Sequence, residues 1–389
     1  MRNVPKLRFS GFSDEWEETS ISNVCKLSSG STPSKAKQEN WNGEYLWVTS
    51  GELKSKFIYD TIDKTTEQGK KESNLREYEK GTFVIAIYGL EAQGTRGSSA
   101  ILGEKATISQ ACMALEPIKD LNSEFLYSWY QKYGEMIGIR YAQGTKQQNL
   151  STDLVGNLRI VVPKKEEQEK IANFLTKVDK LIEKQDEKVS NLEQYKKGMM
   201  QKIFSQEIRF KKDDGGEYPG WNEITIGEVC TINTGKKDTQ DREEGGTYPF
   251  FVRSQIVERI NSYSYDGEAI LTAGDGVGVG KVFHYVNCKF DYHQRVYKLS
   301  DFNGVTGRFL FEYFSENFKR EVAKYNAKTS VDSVRLEMIT KMKMPLPCIE
   351  EQTKIANLLS KIDSIVEKEK EKLEELRDWK KGLLQGMFV

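Results

Sequence analysis

The sequence is short of the residues that most often carry chemistry on their own. It has two histidines, His284 and His293, and five cysteines, Cys25, Cys112, Cys230, Cys288 and Cys348, far apart and with no Cys-x-x-Cys. A zinc site or a disulfide framework needs closer spacing or more soft ligands, so neither is expected and the chain is expected to hold no metal. The longest clearly apolar run, Phe83 to Leu90, is far short of the roughly 20 residues that cross a bilayer, and the first thirty residues lack the apolar core of a secretory signal. These absences predict a soluble, cytoplasmic protein with no membrane partner. Net charge is absent too: 58 Lys+Arg balance 58 Asp+Glu, and residues 1–160 hold 20 of each. Composition gives no sign of a nucleic-acid partner, so any such reading must come from organisation.

Catalytic signatures are also missing. The run Gly274-Asp275-Gly276-Val277-Gly278-Val279-Gly280-Lys281 invites a nucleotide-binding reading and fails on spacing. Asp275 stands where a phosphate loop needs its first glycine, and Val282 stands where Ser or Thr would bind magnesium. A flexible turn between strands is the expected role. There is no Asn-Pro-Pro-Tyr or Asp-Pro-Pro-Tyr segment, no nucleophile elbow and no His-Glu-x-x-His helix. His293, two residues before Arg295, has no evident acid/base partner. No catalytic residue is assigned, which disfavours an autonomous DNA-modifying enzyme.

What is present is a tandem repeat. The segment from Glu166, EEQEKIANFLTKVDKLIEKQDEKVSNLEQYKKGMMQKIF, returns from Glu350 as EEQTKIANLLSKIDSIVEKEKEKLEELRDWKKGLLQGMF, an offset of 184 with 20 identities in 39 positions. The same offset relates Pro163 to Pro347, Phe125 to Phe309 and Gln110 to Gln294; an offset of 205 relates Trp16 to Trp221, Cys25 to Cys230 and Gly30 to Gly235. Repeats of this length mean one structural unit built twice.

Each repeat ends in a long helix. Ile171, Leu175, Val178, Ile182, Gln185, Val189 and Leu192 alternate steps of four and three, as do Ile355, Leu359, Ile362, Val366, Glu369, Leu373 and Leu376. These are coiled-coil seams, opened after Pro163 and Pro347 by acidic first turns that suit the helix dipole. Setting the two polar interruptions, Gln185 and Glu369, opposite each other in an antiparallel pair makes partner numbers sum to 554, so that Ile171 meets Leu383 and Leu192 meets Ile362. Upstream of each helix, short β-branched runs (Tyr45–Thr49, Thr82–Tyr88, Arg159–Val162, Ala269–Thr272) and aromatic helical stretches (Phe125–Tyr141, Phe309–Tyr325) predict mixed segments. The predicted fold is mixed α+β: globular segments 1–163 and 206–347, helices 164–205 and 348–389, with an internal pseudo-two-fold repeat.

Candidate DNA-contacting side chains lie in polar loops: Lys35, Thr49, Ser50, Gln93, Arg96, Lys146, Gln147 and Gln148 in the first repeat, and Lys236, Lys237, Arg253, Ser254, His293 and Arg295 in the second. Most are of the types that read base edges or grip phosphates. Val48-Thr49-Ser50 is matched with Val252-Arg253-Ser254. Tyr195, Lys196 and Lys197, repeated as Trp379, Lys380 and Lys381, are candidates for partner contacts on the helices.

Two variable domains, each preceding a helix that opens with P-x-x-E-E-Q-x-K-I-A, together with the starts Trp16-Glu17-Glu18 and Trp221-Asn222-Glu223, resemble the specificity subunit of a type I restriction-modification system over nearly the whole chain. The resemblance implies a non-catalytic subunit. Each globular domain would read one half of a split double-stranded DNA target, the helices would set the spacer and dock two methyltransferase subunits, and restriction motor-nuclease subunits would join them. S-adenosylmethionine, ATP and magnesium would then sit on partners and no cofactor on this chain. The competing class is a coiled-coil interaction scaffold that never touches DNA.

Overall fold

A computed structural model describes residues 3–91, 94–142, 148–325 and 333–389. Its backbone divides into two units, one of residues 1–187 with 371–389 and one of residues 188–370. Four helices organise them: α1 (Ser123–Tyr141), α2 (Lys165–Phe204), α3 (Gly307–Lys324) and α4 (Ile349–Met387). None of the described helices is long and apolar enough to cross a membrane.

The first unit carries a five-stranded sheet in the order Cys25–Ser29, Cys112–Pro117, Phe83–Ala86, Ser99–Leu102, Phe57–Ile58, antiparallel except at its last pair. A smaller sheet joins Trp41–Val48 to Lys64–Thr65 and, in parallel, to Thr107–Ile108. The second unit merges the corresponding strands into one six-stranded sheet ordered Thr231–Thr234, Val296–Ser300, Tyr265–Ala273, Phe283–Tyr292, Tyr248–Phe251, Glu258–Ile260. The strands expected around Tyr45, Thr82, Arg159 and Ala269 and the two aromatic helices are all found. Phe83, Ile85 and Met113 face the first core with Phe125 and Tyr130 of α1; Ile270 and Leu299 face the second with Phe309, Phe314 and Phe318 of α3. Burying a side chain of this size contributes about 1.5–3 kcal/mol, so these clusters dominate each unit's stability.

Each unit holds one stretch of α2 against one stretch of α4, antiparallel. In the first, Asp179 pairs with Lys380 at 2.7 Å, Asp186 with Arg377 at 3.1 Å, and Phe174 meets Trp379 edge-on at 6.3 Å. In the second, Lys188 pairs with Glu369 at 2.7 Å and Lys196 with Asp363 at 2.6 Å. The seam residues Ile171, Leu175, Val178, Val189, Ile355, Leu359, Ile362, Val366 and Leu373 are buried, and so is the polar Gln185.

The repeated Glu-Glu-Gln explains itself locally. The first glutamate stays in water, whereas Glu167, Gln168, Glu351 and Gln352 are buried. The Gln168 amide donates to the Pro163 carbonyl at 2.9 Å and accepts from Asn122 N, at the cap of α1, at 2.9 Å; Gln352 joins Pro347 O and Thr306 N, at the cap of α3, at 2.9 and 2.8 Å. Glu167 takes a two-pronged ion pair from Arg8, and Glu351 takes one from Arg209 plus the Trp221 indole N–H. Charges buried this way are tolerated because every prong is paired.

The unit starts match as well. Ile208 N donates to Lys202 O near the end of α2, and Leu7 N donates to Gly386 O near the end of α4. The segment that follows α2 by direct chain connection in one unit is thus supplied in the other by the residues near the N-terminus.

Candidate nucleic-acid interface

In both units, several chain passages meet at one end of the sheets, and the meeting is fixed by backbone hydrogen bonds. A Cβ on Gly30 would lie 2.0 Å from Ile108 O, and one on Gly235 would lie 1.9 Å from Tyr292 O, so only glycine permits the crossing. Beside it, Ser109 N donates to Val48 O at 2.8 Å and His293 N to Phe251 O at 2.9 Å. Ile87 is held between Ala111 O and Leu150 N, and Gly274 between Arg295 O and Val334 N, at 2.7–2.9 Å. The loops leaving this junction carry most of the candidate readers.

The junction corrects the sequence matching. Val48 pairs in parallel with Ile108 and Phe251 with Tyr292, which sets Ser50 opposite Arg253, one residue away from the valine-to-valine alignment. By the same bonds Tyr88 corresponds to Asp275 and Ala111 to Arg295.

In the second unit the loops converge on Asp275, the residue before the short turn Gly276–Gly278. Its carboxylate accepts from Arg253 Nη1 at 3.0 Å and lies 3.8 Å from Arg295 Nε. The Asp275 side chain is 20% exposed, against 47% for Arg253 and 65% for Arg295. Lys236 is exposed and Lys237 half-buried, with Gln294 N donating to Lys237 O at 2.7 Å. Ser254 is exposed, its hydroxyl donating to Ile256 O. His293 is buried; its Nδ1 accepts from Arg295 N at 2.9 Å and its Nε2 lies 3.6 Å from Asp238. The imidazole therefore shapes the turn that presents Arg295 and offers no surface for base contact, contrary to the sequence reading. Exposed Ile256 and Val277 project from the same loops.

In the first unit, Arg96 Nη2 donates to Gln148 Oε1 at 3.0 Å, and Gln148 N donates to Glu91 Oε2 at 2.8 Å. That backbone N–H, together with Glu91's own, holds the Glu91 carboxyl below its ordinary range. The stem of Arg96 lies over Gly138 of α1, within 3.2–3.5 Å of where a Cβ would sit. Lys35 is exposed and Ser50 half-buried. Both Thr49 N and its hydroxyl donate to Glu52 Oε2, at 2.7 and 2.9 Å, so Thr49 is committed to its own turn. Gln93, Lys146 and Gln147 lie outside the described residues.

On the helices, the three-residue segments split by direction. Tyr195, Lys197, Trp379 and Lys381 are exposed. Lys196 instead reaches Glu312 at 2.9 Å and Asp363 at 2.6 Å, and Lys380 reaches Asp179. These two lysines are spent inside their own units, because successive helical residues point about 100° apart. Burial pushes the Glu312 carboxyl above its ordinary value, opposed by Lys196 and Arg308. Sequence reasoning missed Asp275, since only its failure as a phosphate loop was visible there.

A family model described as the type I restriction modification DNA specificity domain matches residues 13–194 and again 218–378. The MjaVIII specificity subunit of Methanocaldococcus jannaschii is 25% identical, covering 97% of this chain and 92% of its own. The EcoDI specificity subunit of Escherichia coli is 31% identical over 43% of this chain and 37% of its own. Among solved structures, a type I restriction-modification S subunit from M. genitalium shares the fold, with a TM-score of 0.63, 18% identity and 99% of both chains covered.

Proposed function

This chain belongs to the type I restriction modification DNA specificity family, and from that premise we propose that it is the sequence-reading subunit of a type I restriction-modification complex. Each globular domain reads one half of a bipartite double-stranded DNA target through the loops of its strand junction. The domain bounds are those set by the repeat, 1–163 and 206–347, with helices 164–205 and 348–389 between and after them. The helices set the spacer and dock two methyltransferase subunits, with Tyr195, Lys197, Trp379 and Lys381 on the docking face; motor-nuclease subunits complete the complex. The chain is non-catalytic and works in the cytoplasm, with S-adenosylmethionine, ATP and magnesium bound by its partners.

One observation supports this most: the same backbone junction is built twice, with near-identical bonds and different side chains at its loops. That is the design of two readers of unlike sequence on one frame. Partner subunits supply much of the phosphate attraction, which suits a chain with no net charge. The test is the methylome of cells expressing this chain with its methyltransferase partner. A split motif should appear, and a four-residue insertion near Gln185, about 6 Å of helix, should shift its spacer by about two base pairs or abolish methylation. A functional insertion variant with the original spacer would refute the spacer role.

A further inference from the structure

The second unit contains a three-residue device that the matching, described positions of the first do not repeat. Arg253, Asp275 and Arg295 come from three different loops, and the backbone staples those loops together through His293 N to Phe251 O, Gly274 N to Arg295 O and Val334 N to Gly274 O. One half-buried carboxylate therefore faces two exposed guanidinium groups, accepting from Arg253 at 3.0 Å and standing 3.8 Å from Arg295. The first unit has Ser50, Tyr88 and Ala111 at these places, with no charge among them.

We infer that Asp275 is a specificity-determining residue of the second half-site, orienting Arg253 and Arg295 to read guanine. The inference rests on the DNA-reading function proposed above. An arginine fork carries five N–H donors, and each guanidinium here commits at most a small part of them to Asp275. The remaining edge is a planar pair of donors, which fits the O6 and N7 acceptors of guanine in the major groove; adenine places an amino donor at the first of these positions. A free arginine gives up much rotamer freedom when it is fixed. A carboxylate that fixes it before DNA arrives removes much of that cost and forbids looser arrangements that would accept other bases. Asp275 does this from a site less exposed than either arginine.

The charges predict a signature that a merely structural residue would not show. Asp275 repels phosphate, so removing it raises the attraction of this surface for DNA of any sequence while it loosens the two forks. Selectivity should fall as sequence-independent binding holds or rises.

The experiment uses the chain assembled with its methyltransferase partner, on duplex libraries randomised across both half-sites. Arg253→Ala should erase preference at one G·C pair of one half-site, and Arg96→Ala should act on the other half-site. Asp275→Asn, close in shape to the original, should lower preference at the Arg253-dependent G·C pair by about tenfold, equivalent to about 1.4 kcal/mol. It should leave the other half-site unchanged, which also shows that the variant is folded, and binding to unrelated DNA should be equal or tighter. The inference is overturned if the Arg253-dependent position is not G·C, if Asp275→Asn keeps full preference there, or if it weakens binding to all sequences alike. A wild-type complex that selects no sequence at all would overturn the functional reading itself, whereas intact selection with an unchanged Asp275→Asn profile would overturn this inference alone.

Discussion

The two units share a frame and differ in what they hang on it. Arg8 with Glu167 and Arg209 with Glu351, Gln168 and Gln352 across the helix caps, and Gly30 and Gly235 against a carbonyl oxygen are the same device built twice. At the loops the likeness ends. The second unit presents two arginines on a shared aspartate; the first presents Arg96 braced by Gln148 and a turn in which Glu52 occupies the Thr49 hydroxyl. The loops are also carried differently, by one six-stranded sheet in the second unit and by sheets of five and three strands in the first. The difference teaches that identity is retained where a buried charge or a steric approach leaves one solution, and is released where side chains only meet solvent or a ligand.

That contrast can be broken from its shared side first. Glu351→Ala leaves the Arg209 guanidinium without its carboxylate and should destabilise the second unit by about 3–5 kcal/mol, as Glu167→Ala should the first. Hydrogen exchange resolved by segment would show each loss confined to its own unit, and equal loss in both units from one substitution would contradict the separation. Next in size, Gly30→Ala or Gly235→Ala places a Cβ about 2 Å from a carbonyl oxygen and should cost about 1–3 kcal/mol in strain. Each should spoil recognition of one half-site in a methylome, and the same half-site for neither.

Smaller effects sharpen the contrast at the loops. Lys236→Ala, at an exposed position, should weaken binding to all sequences and reduce the salt slope by about one, without altering the motif, in binding titrations across salt. The smallest effect concerns pH. Glu312, faced by Lys196, Arg308 and Asp363, has a folded pKa above the ordinary 4.5, so the folded state holds its proton more tightly than the unfolded chain. Stability of the second unit should therefore fall as pH rises from about 4.5 through the raised value, by at most about 1.4 kcal/mol per pH unit. Glu312→Gln should flatten that slope in urea titrations. The corresponding place in the first unit is Ser128, which has no carboxyl to titrate.

Much of the fold was legible because its signals are local. The heptad steps from Ile171 and from Ile355, the acidic first turns and the aromatic helices each depend on residues within a turn or two of one another. The candidate interface was legible only as a set of loops. Residue type points to Arg253 and Arg295 but says nothing of their shared carboxylate, and it points equally to His293, whose ring is buried. In sequence Lys196 and Lys380 are indistinguishable from Lys197 and Lys381, whereas in the fold Asp363 and Asp179 hold them.

The order of the residues alone establishes that one unit is built twice, that each copy ends in a long helix with an apolar seam, and which family the repeat resembles, because a periodic apolar stripe and 20 identities in 39 positions survive without any knowledge of contacts. It takes the folded chain to show that Ser50 rather than Thr49 answers to Arg253, that Asp275 stands between two arginines, and which lysine of each helix segment faces outward. Those facts are set by backbone bonds such as Ser109 N to Val48 O and His293 N to Phe251 O, which join residues 61 and 42 positions apart. A register between distant strands leaves no trace in the order of the residues, since a shift by one position leaves composition and local pattern unchanged while turning every side chain to the opposite face.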